Sequence, residues 1–328
     1  VEILILHPGG LGDVILSLPA IALIRNRYPS SRITVAGNID HLEGILSGYV
    51  DRGLSLSTLP LHHLYSCDSV PDADAIFWRS FGWIVSWTGS HDSTFAESFH
   101  HLHRNVLIAP WRPVLGETRH VAQIFVDSLK MPGLQGGEVV SAPIQLDLKL
   151  REEGAKWLIE RGWNGRDPLI ALHPGAGSPT KRWPLDRFSD LAQSLMRQSD
   201  LKLMIIEGPA EPGLGSKITH ALPPTRAILA DMASLSLLAA VLAQSDVFIG
   251  NDSGLAHLAA ALQIPSIVLF GPTRPQHWAP LGPRVIAMQN ISGCEGCASD
   301  TQEHACLENI TVEEVIRVLS ENIRSRIP

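Results

Sequence analysis

Three short stretches of the chain bring together the residue types that chemistry needs, each beside a glycine turn. The first, His7-Pro-Gly-Gly-Leu-Gly-Asp13, follows an apolar run and ends in a carboxylate. At the carboxyl end of a strand, where parallel-sheet proteins hold ligands, such a carboxylate can accept a proton from a substrate hydroxyl. Asp is also a favoured helix cap, and on residue type alone that is the commoner role for Asp13. The spacing of Gly9, Gly10 and Gly12 is not the dinucleotide fingerprint, so these glycines mark a turn and no more.

The second stretch is His173-Pro-Gly-Ala-Gly-Ser-Pro-Thr-Lys-Arg-Trp183. Its turn amides and the hydroxyls of Ser178 and Thr180 suit an anion. Lys181 and Arg182 can neutralise a diphosphate as it departs, where charge grows in the transition state. A solvated Lys-Arg pair is the competing reading. The third stretch, Asn251-Asp-Ser-Gly-Leu-Ala-His257, opens a helix after a strand. Asp252 or Ser253 can cap that helix, whose first amides from Gly254 onward face an anion. His257 lies one turn in, among Leu and Ala, where a satisfied core histidine is the ordinary outcome. Glu207-Gly-Pro-Ala-Glu211 places two carboxylates after a strand, where one can hold ribose hydroxyls or both can be solvated. Gly271-Pro-Thr-Arg-Pro275 is another turn of the same kind.

Cys294, Cys297 and Cys306, with His304, have metal-ligand spacing. A second Cys-x-x-Cys pair is missing, so free thiols and a local disulfide stand beside a structural metal. Cys67 reads as a small apolar residue. His62, His63, His100, His101 and His103 lack helical pairing with carboxylates and read as polar surface.

The elements that must position these groups alternate between strand-like and helix-like runs, the pattern of an α/β protein with parallel sheets. Strands are expected at Ile3–Leu6, Arg32–Ala36, Leu169–Leu172, Leu201–Ile206, Asp246–Ile249 and Ser266–Phe270. Helices are expected over Asp13–Tyr28, Arg151–Trp163, Asp186–Arg197 and Gly254–Leu262. A last one starts at Thr311, with Glu314 in capping-box position. Between Asp40 and Pro113 few elements can be placed. The Ile3-Leu-Ile-Leu-His-Pro-Gly9 run recurs as Leu169-Ile-Ala-Leu-His-Pro-Gly175. Two nucleotide-fold halves follow: residues 1–160, and residues 161–328 with a C-terminal helix, joined through the Gly- and Pro-bearing segment Gly162–Pro168.

The totals limit the partners. A net charge of −7 argues against a general nucleic-acid binder, which needs a basic surface. No apolar run reaches the 18 or so residues of a spanning helix. The chain opens on a strand without a basic leader, which predicts no signal peptide. Four cysteines make no disulfide scaffold at this length. A cytoplasmic enzyme is the economical expectation.

Together these residues resemble the family 9 glycosyltransferases, the ADP-heptose:lipopolysaccharide heptosyltransferases. The matching runs are Ile3–Leu6, Gly12-Asp-Val14, Leu18-Pro19, Tyr28-Pro29, His173–Ala176, Lys181-Arg-Trp-Pro184, Asn251–His257, Leu269–Thr273, Cys294-x-x-Cys297 and His304–Leu307. The resemblance implies a GT-B fold: two facing Rossmann-like domains with mostly parallel sheets, acceptor on the first, donor on the second and a cleft between. It implies an inverting enzyme that needs no metal for chemistry. Asp13 would be the general base and Lys181 would stabilise departing ADP. Gly12, Ser178, Thr180, Asp252, Ser253, Gly254 and His257 would line the donor pocket, with Glu211 on the ribose. The acceptor implied is an inner-core saccharide, met at the inner membrane if lipid-linked. Arg79, Arg104, Arg112 and Arg119 are candidates to contact its anionic groups.

Departures are the His7 position, usually Arg or Lys in the family, and a shorter cysteine loop. A related group glycosylates autotransporter proteins, with iron on its cysteines. A different donor sugar, a protein or small-glycan acceptor, and a non-catalytic nucleotide-sugar-binding protein therefore stand as alternatives. Retention of Asp13 and Lys181 argues against the last.

Overall fold

Ile3-Leu-Ile-Leu6 is apolar at every position, which suits a strand covered on both faces. In the computed structural model it lies at the middle of a five-stranded parallel sheet. Strand β1 (Glu2–His7) pairs on one side with β2 (Arg32–Gly37), and β2 with β3 (Arg52–Ser55). On the other side lie β4 (Trp83–Ser86) and β5 (Val106–Ile108). The order β3-β2-β1-β4-β5 reverses direction between β1 and β4. At that switch point the carboxyl ends of a doubly wound sheet leave a crevice for ligands. A small antiparallel pair, β6 (Lys130–Met131) and β7 (Leu134–Gln135), follows.

The pattern is rebuilt further along the chain. β8 (Leu169–His173) pairs with β9 (Lys202–Ile206), and β9 with β10 (Ala227–Ala230). β11 (Val247–Asn251), β12 (Ser266–Leu269) and β13 (Val285–Met288) extend the other side, all parallel. Its switch point lies between β8 and β11. The structure describes residues 1–38, 43–66, 69–114, 116–198, 200–209, 211–232, 234–292 and 305–322. Among them, no helix is long and apolar enough to cross a membrane.

Each sheet has its own core. In the first unit, Val1–Gln145, Leu4, Leu6 and Ile84 pack with Trp78, Phe95 and Phe99. In the second, Leu146–Pro328, Ile170, Leu172 and Ile249 pack with Trp183, Phe188 and Leu191. The boundary differs from the expected division at residue 160. Helix Leu148–Ile159 belongs to the second unit, where it packs against helix Leu235–Leu242. Asp147 Oδ1 accepts from the Leu150 amide at 2.7 Å, so the alternating Leu146, Leu148 and Leu150 lead into a helix. Gly154 makes the packing possible, since a Cβ there would lie 2.4 Å from the Ala240 backbone carbonyl. Gly154→Ala is expected to destabilise the second unit by about 1–3 kcal/mol through overpacking. Denaturant titration reads this, and an unchanged midpoint would mean that the two helices separate without cost.

Helix Leu11–Arg27 runs through Pro19. At the last helix the expected capping box is present. The C-terminal helix Val312–Asn322 starts on the reciprocal Thr311–Glu314 bonds, 2.8 and 3.2 Å, with Val315 and Leu319 buried.

Candidate active site

In the first unit, the turn after β1 is held by two side chains. The Gly9 amide donates to His7 Nδ1 at 3.1 Å, and the Gly10 amide donates to Asp13 Oδ2 at 2.9 Å. Gly10 is therefore the N-cap position, and Asp13 is the acidic residue of the first turn that reaches back to it. The capping role expected of Asp13 takes this form, with Gly12 beside it in the same turn. Asp13 is half-buried. His7 is fully buried, with its ring centroid 5.6 Å from Trp87, 6.4 Å from Trp111 and 5.4 Å from Phe125. Burial pushes its imidazole down to about 3, against backbone hydrogen bonding at Asp13 and at His7 itself. A neutral ring thus stands where the resembling family usually has a cation.

The arginines suggested for an acceptor differ sharply. Arg119 is committed to Glu117 at 2.6 Å and Asp127 at 2.7 Å, and Arg79 donates to the Leu102 carbonyl. Arg112 instead lies 4.1 Å over the ring of Trp111, the same ring that meets His7 edge-on.

In the second unit, the turn after β8 and the helix after β11 meet at the switch point. Lys181 Nζ donates to Asp252 Oδ2 at 2.8 Å, and Thr273 Oγ1 donates to the same oxygen at 2.6 Å. Asp252 is buried, and its other oxygen lies 4.0 Å from His257 Nε2. His257 is buried, as a core histidine would be, yet its ring faces the site's carboxylate. Ser178 Oγ and Thr180 Oγ1 lie 2.9 Å apart at the start of the short Pro179–Lys181 turn. Ser253 is the N-cap of helix Gly254–Ala261, but its hydroxyl makes no capping bond. It pairs with His173 Nδ1 at 3.2 Å instead. Burial, with the Arg182 guanidinium nearby, pushes His173 down to about 4.

Glu207 and Glu211 separate into two roles. Burial pushes Glu207 up, but the amides of Gly213, Ser216 and Gly215 and the Ser216 hydroxyl outweigh it and leave the carboxyl below its ordinary range. It serves the start of helix Leu214–His220. Glu211 is buried beside Gly175, with Arg182 3.9 Å away. Burial raises its carboxyl above the ordinary range, although Arg182 and the Ala176 amide oppose this. The folded chain then binds that proton more tightly than the unfolded one. The corresponding stability is complete below the ordinary carboxyl pKa and lost as pH rises through the raised value. Glu211→Gln is therefore expected to raise Tm at pH 8 and not at pH 4. Equal shifts at both pH values would refute a cost of ionisation.

Two contacts were not foreseeable as such. Asn251 donates to the Pro174 carbonyl at 2.8 Å and accepts from the Trp183 amide at 2.9 Å, tying the glycine turn to the segment after Lys181. Thr273 braces Asp252 from the turn after β12. Both residues lie in runs that carry the family resemblance, but no spacing within those runs shows which groups they bind. Cys294, Cys297 and His304 lie outside the described residues. Cys306 is buried at the start of helix Ala305–Glu308. Among the described residues, no three His, Cys, Asp or Glu side chains are grouped to hold a metal ion.

The family model described as Glycosyltransferase family 9 (heptosyltransferase) matches residues 84–308, which include Lys181 and Asp252 and leave Asp13 outside. Lipooligosaccharide heptosyltransferase 2 of Haemophilus influenzae is 32% identical over 166 residues, 48% of this chain and 48% of that protein. The matched part thus spans about half the length of the curated relatives. Among solved structures, the E. coli ADP-heptose lps heptosyltransferase II has a TM-score of 0.75 at 20% identity, with 98% of each chain covered. The E. coli heptosyltransferase WaaC with ADP-2-deoxy-2-fluoro heptose has a TM-score of 0.65 at 17% identity, covering 98% of this chain and 100% of that one.

Proposed function

Since the chain belongs to glycosyltransferase family 9, the heptosyltransferases, we propose that it moves a heptose from ADP-heptose to an inner-core saccharide of lipopolysaccharide. The observation that carries this reading is the second unit's switch point, where Lys181, held 2.8 Å from Asp252, stands beside a helix start whose N-cap hydroxyl is turned elsewhere. A cation and a helix N-terminus are what a departing diphosphate needs. The donor and acceptor identities draw on the names of the relatives and structural neighbours.

In this reading Asp13 takes the proton of the acceptor hydroxyl. The hydroxyl oxygen then forms a bond to the anomeric carbon as the bond from that carbon to the diphosphate oxygen breaks. The electron pair leaves with ADP, and the sugar inverts in one step. Lys181 supplies positive charge to the leaving group, so the chemical step needs no metal. Ser178, Thr180 and Gly254 bind phosphate oxygens, while Asp252 and His257 face the sugar and Glu211 accepts from the ribose. On the acceptor side, Asp13 meets the reacting hydroxyl, and its neighbour Gly12 is assigned to the donor sugar. Arg112, carried on Trp111, meets an anionic group. The reaction belongs to the cytoplasm, and a lipid-linked acceptor would be reached from the membrane's cytoplasmic face.

A panel of nucleotides and nucleotide sugars in thermal-shift measurements tests the donor, because specific binding raises apparent stability by mass action. ADP and ADP-heptose should raise Tm, and UDP and GDP compounds should not. A shift with UDP or GDP species alone would replace the donor. Equal silence from all of them would favour a non-catalytic protein.

A further inference from the structure

The two units share more than a recurring run of residues. In each, the first strand ends on a buried histidine, a proline follows, and a glycine turns the chain beneath a carboxylate. Asp13 accepts from the amide of Gly10, three residues after His7. Glu211 accepts from the amide of Ala176, three residues after His173. A Cβ on Gly9 would lie 2.8 Å from both Asp13 Oδ2 and His7 Cε1. One on Gly175 would lie 2.8 Å from both Glu211 Oε1 and His173 Nε2. In both turns the glycine α-carbon is thus wedged between an imidazole and a carboxylate. The proline carbonyl is also held in each, by Asn38 Nδ2 at 2.5 Å and by Asn251 Nδ2 at 2.8 Å.

The carboxylates arrive by different routes. Asp13 comes from the helix that the turn itself opens, whereas Glu211 comes from the loop after β9. Local chain direction therefore does not explain why both end at the same place. We infer that the His-Pro-Gly turn is a carboxylate holder used twice, with His7 positioning Asp13 and His173 positioning Glu211. The inference rests on the proposed roles of those carboxylates, base and ribose contact. Each ring uses Nδ1 toward its own surroundings: His7 accepts from the Gly9 amide, and His173 pairs with the Ser253 hydroxyl. A flat, buried, uncharged ring with a polar Nδ1 edge is what the position requires. Leucine would fill the space without the polar edge, and lysine would bring a charge. Burial keeps both rings neutral at working pH, so His7 Nδ1 stays available to the Gly9 amide and His173 brings no charge to the turn beside Glu211.

The test uses the full chain, calorimetric titration with ADP, and steady-state transfer from ADP-heptose to a purified inner-core saccharide. His7→Leu is expected to lower kcat about 100-fold, the scale of a small misplacement of a reacting group, with Kd for ADP within about twofold. His7→Asn, which returns an acceptor to the Gly9 amide, should recover kcat to within about tenfold of the parent. His173→Leu should instead weaken ADP binding at least about tenfold and leave kcat at saturating donor within about threefold, with His173→Asn recovering the affinity. If a leucine variant does not fold, the glutamine variant, which lacks an acceptor at the Nδ1 position, replaces it.

Equal losses in the leucine and asparagine variants would overturn the inference. So would parental kcat in His7→Leu, or parental ADP affinity in His173→Leu. Asp13→Asn and Glu211→Gln run alongside. If these keep kcat and ADP affinity respectively, the assigned carboxylate role has failed, and the holder with it. If they lose function while the histidine variants do not, positioning alone has failed.

Discussion

Asp13→Asn is expected to lower kcat for sugar transfer about 100- to 10,000-fold, the usual contribution of a positioned general base. The substitution isolates basicity from structure. The carbonyl oxygen of the introduced amide can still accept from the Gly10 amide, the bond that Asp13 Oδ2 makes at 2.9 Å. The turn, the helix start and the contact across Gly9 are therefore retained, while the group that takes the proton is gone. ADP binding should stay within about twofold, because the residues proposed to hold ADP are in the second unit and make no use of this carboxylate. Initial rates of ADP release, with a parallel ADP titration, give both numbers. A kcat within about threefold of the parent would leave Asp13 as a helix-start residue only.

Lys181→Ala is expected to cost about 100- to 1,000-fold in kcat, the range seen when a preorganised charge stabiliser is removed. The loss has two parts. The cation that meets the departing diphosphate disappears, and the buried Asp252 carboxylate keeps only Thr273 of the two donors that share its Oδ2. An uncompensated carboxylate would then face a leaving group that is itself gaining negative charge. The double variant Lys181→Ala with Asp252→Asn should accordingly recover part of the rate lost by Lys181→Ala alone, since neighbours sharing a network are not additive. A double variant slower than the single one would show that Asp252 does not work against the leaving group. Its place would then be solely with the sugar.

The strands that build the two switch points were legible because they are unbroken apolar runs closed by Gly or Pro. The Leu4–His7 and Leu169–His173 segments are covered on both faces, so every side chain signals the same environment. The stretch from Asp40 to Pro113 gave no such signal. There β3 is only partly covered and β5 is three residues long. What holds that region is tertiary: Trp78 of one helix meets Phe99 of the next edge to face at 5.0 Å, and Phe99 in turn meets Phe95 of its own helix at 5.4 Å. The run around Leu146–Leu150 had the period of a strand, but the Asp147 cap starts a helix at Leu148 and packing against helix Leu235–Leu242 holds it.

The site was legible to the same extent. Lys181 and Asp252 were each visible as a residue type beside a turn. That they form a pair depends on two strands being neighbours in the sheet, which no local spacing records. Asn251 is the clearest case. Its partners, Pro174 and Trp183, are about 70 residues away, so its amide looks like an ordinary strand end until the sheet is assembled.

The buried rings of His7 and His173 also set an acid limit for the fold. Unfolded, each takes a proton near the ordinary imidazole pKa; folded, they resist until about 3 and about 4. Their contribution to stability is complete above the ordinary value and is lost as pH falls through the interval below it. Within that interval the unfolding reaction takes up two protons that the native chain refuses. Each makes unfolding easier by about 1.4 kcal/mol per pH unit. The melting temperature should therefore fall steeply from pH 6 to pH 4, and His7→Asn should remove about half of the histidine share of that slope.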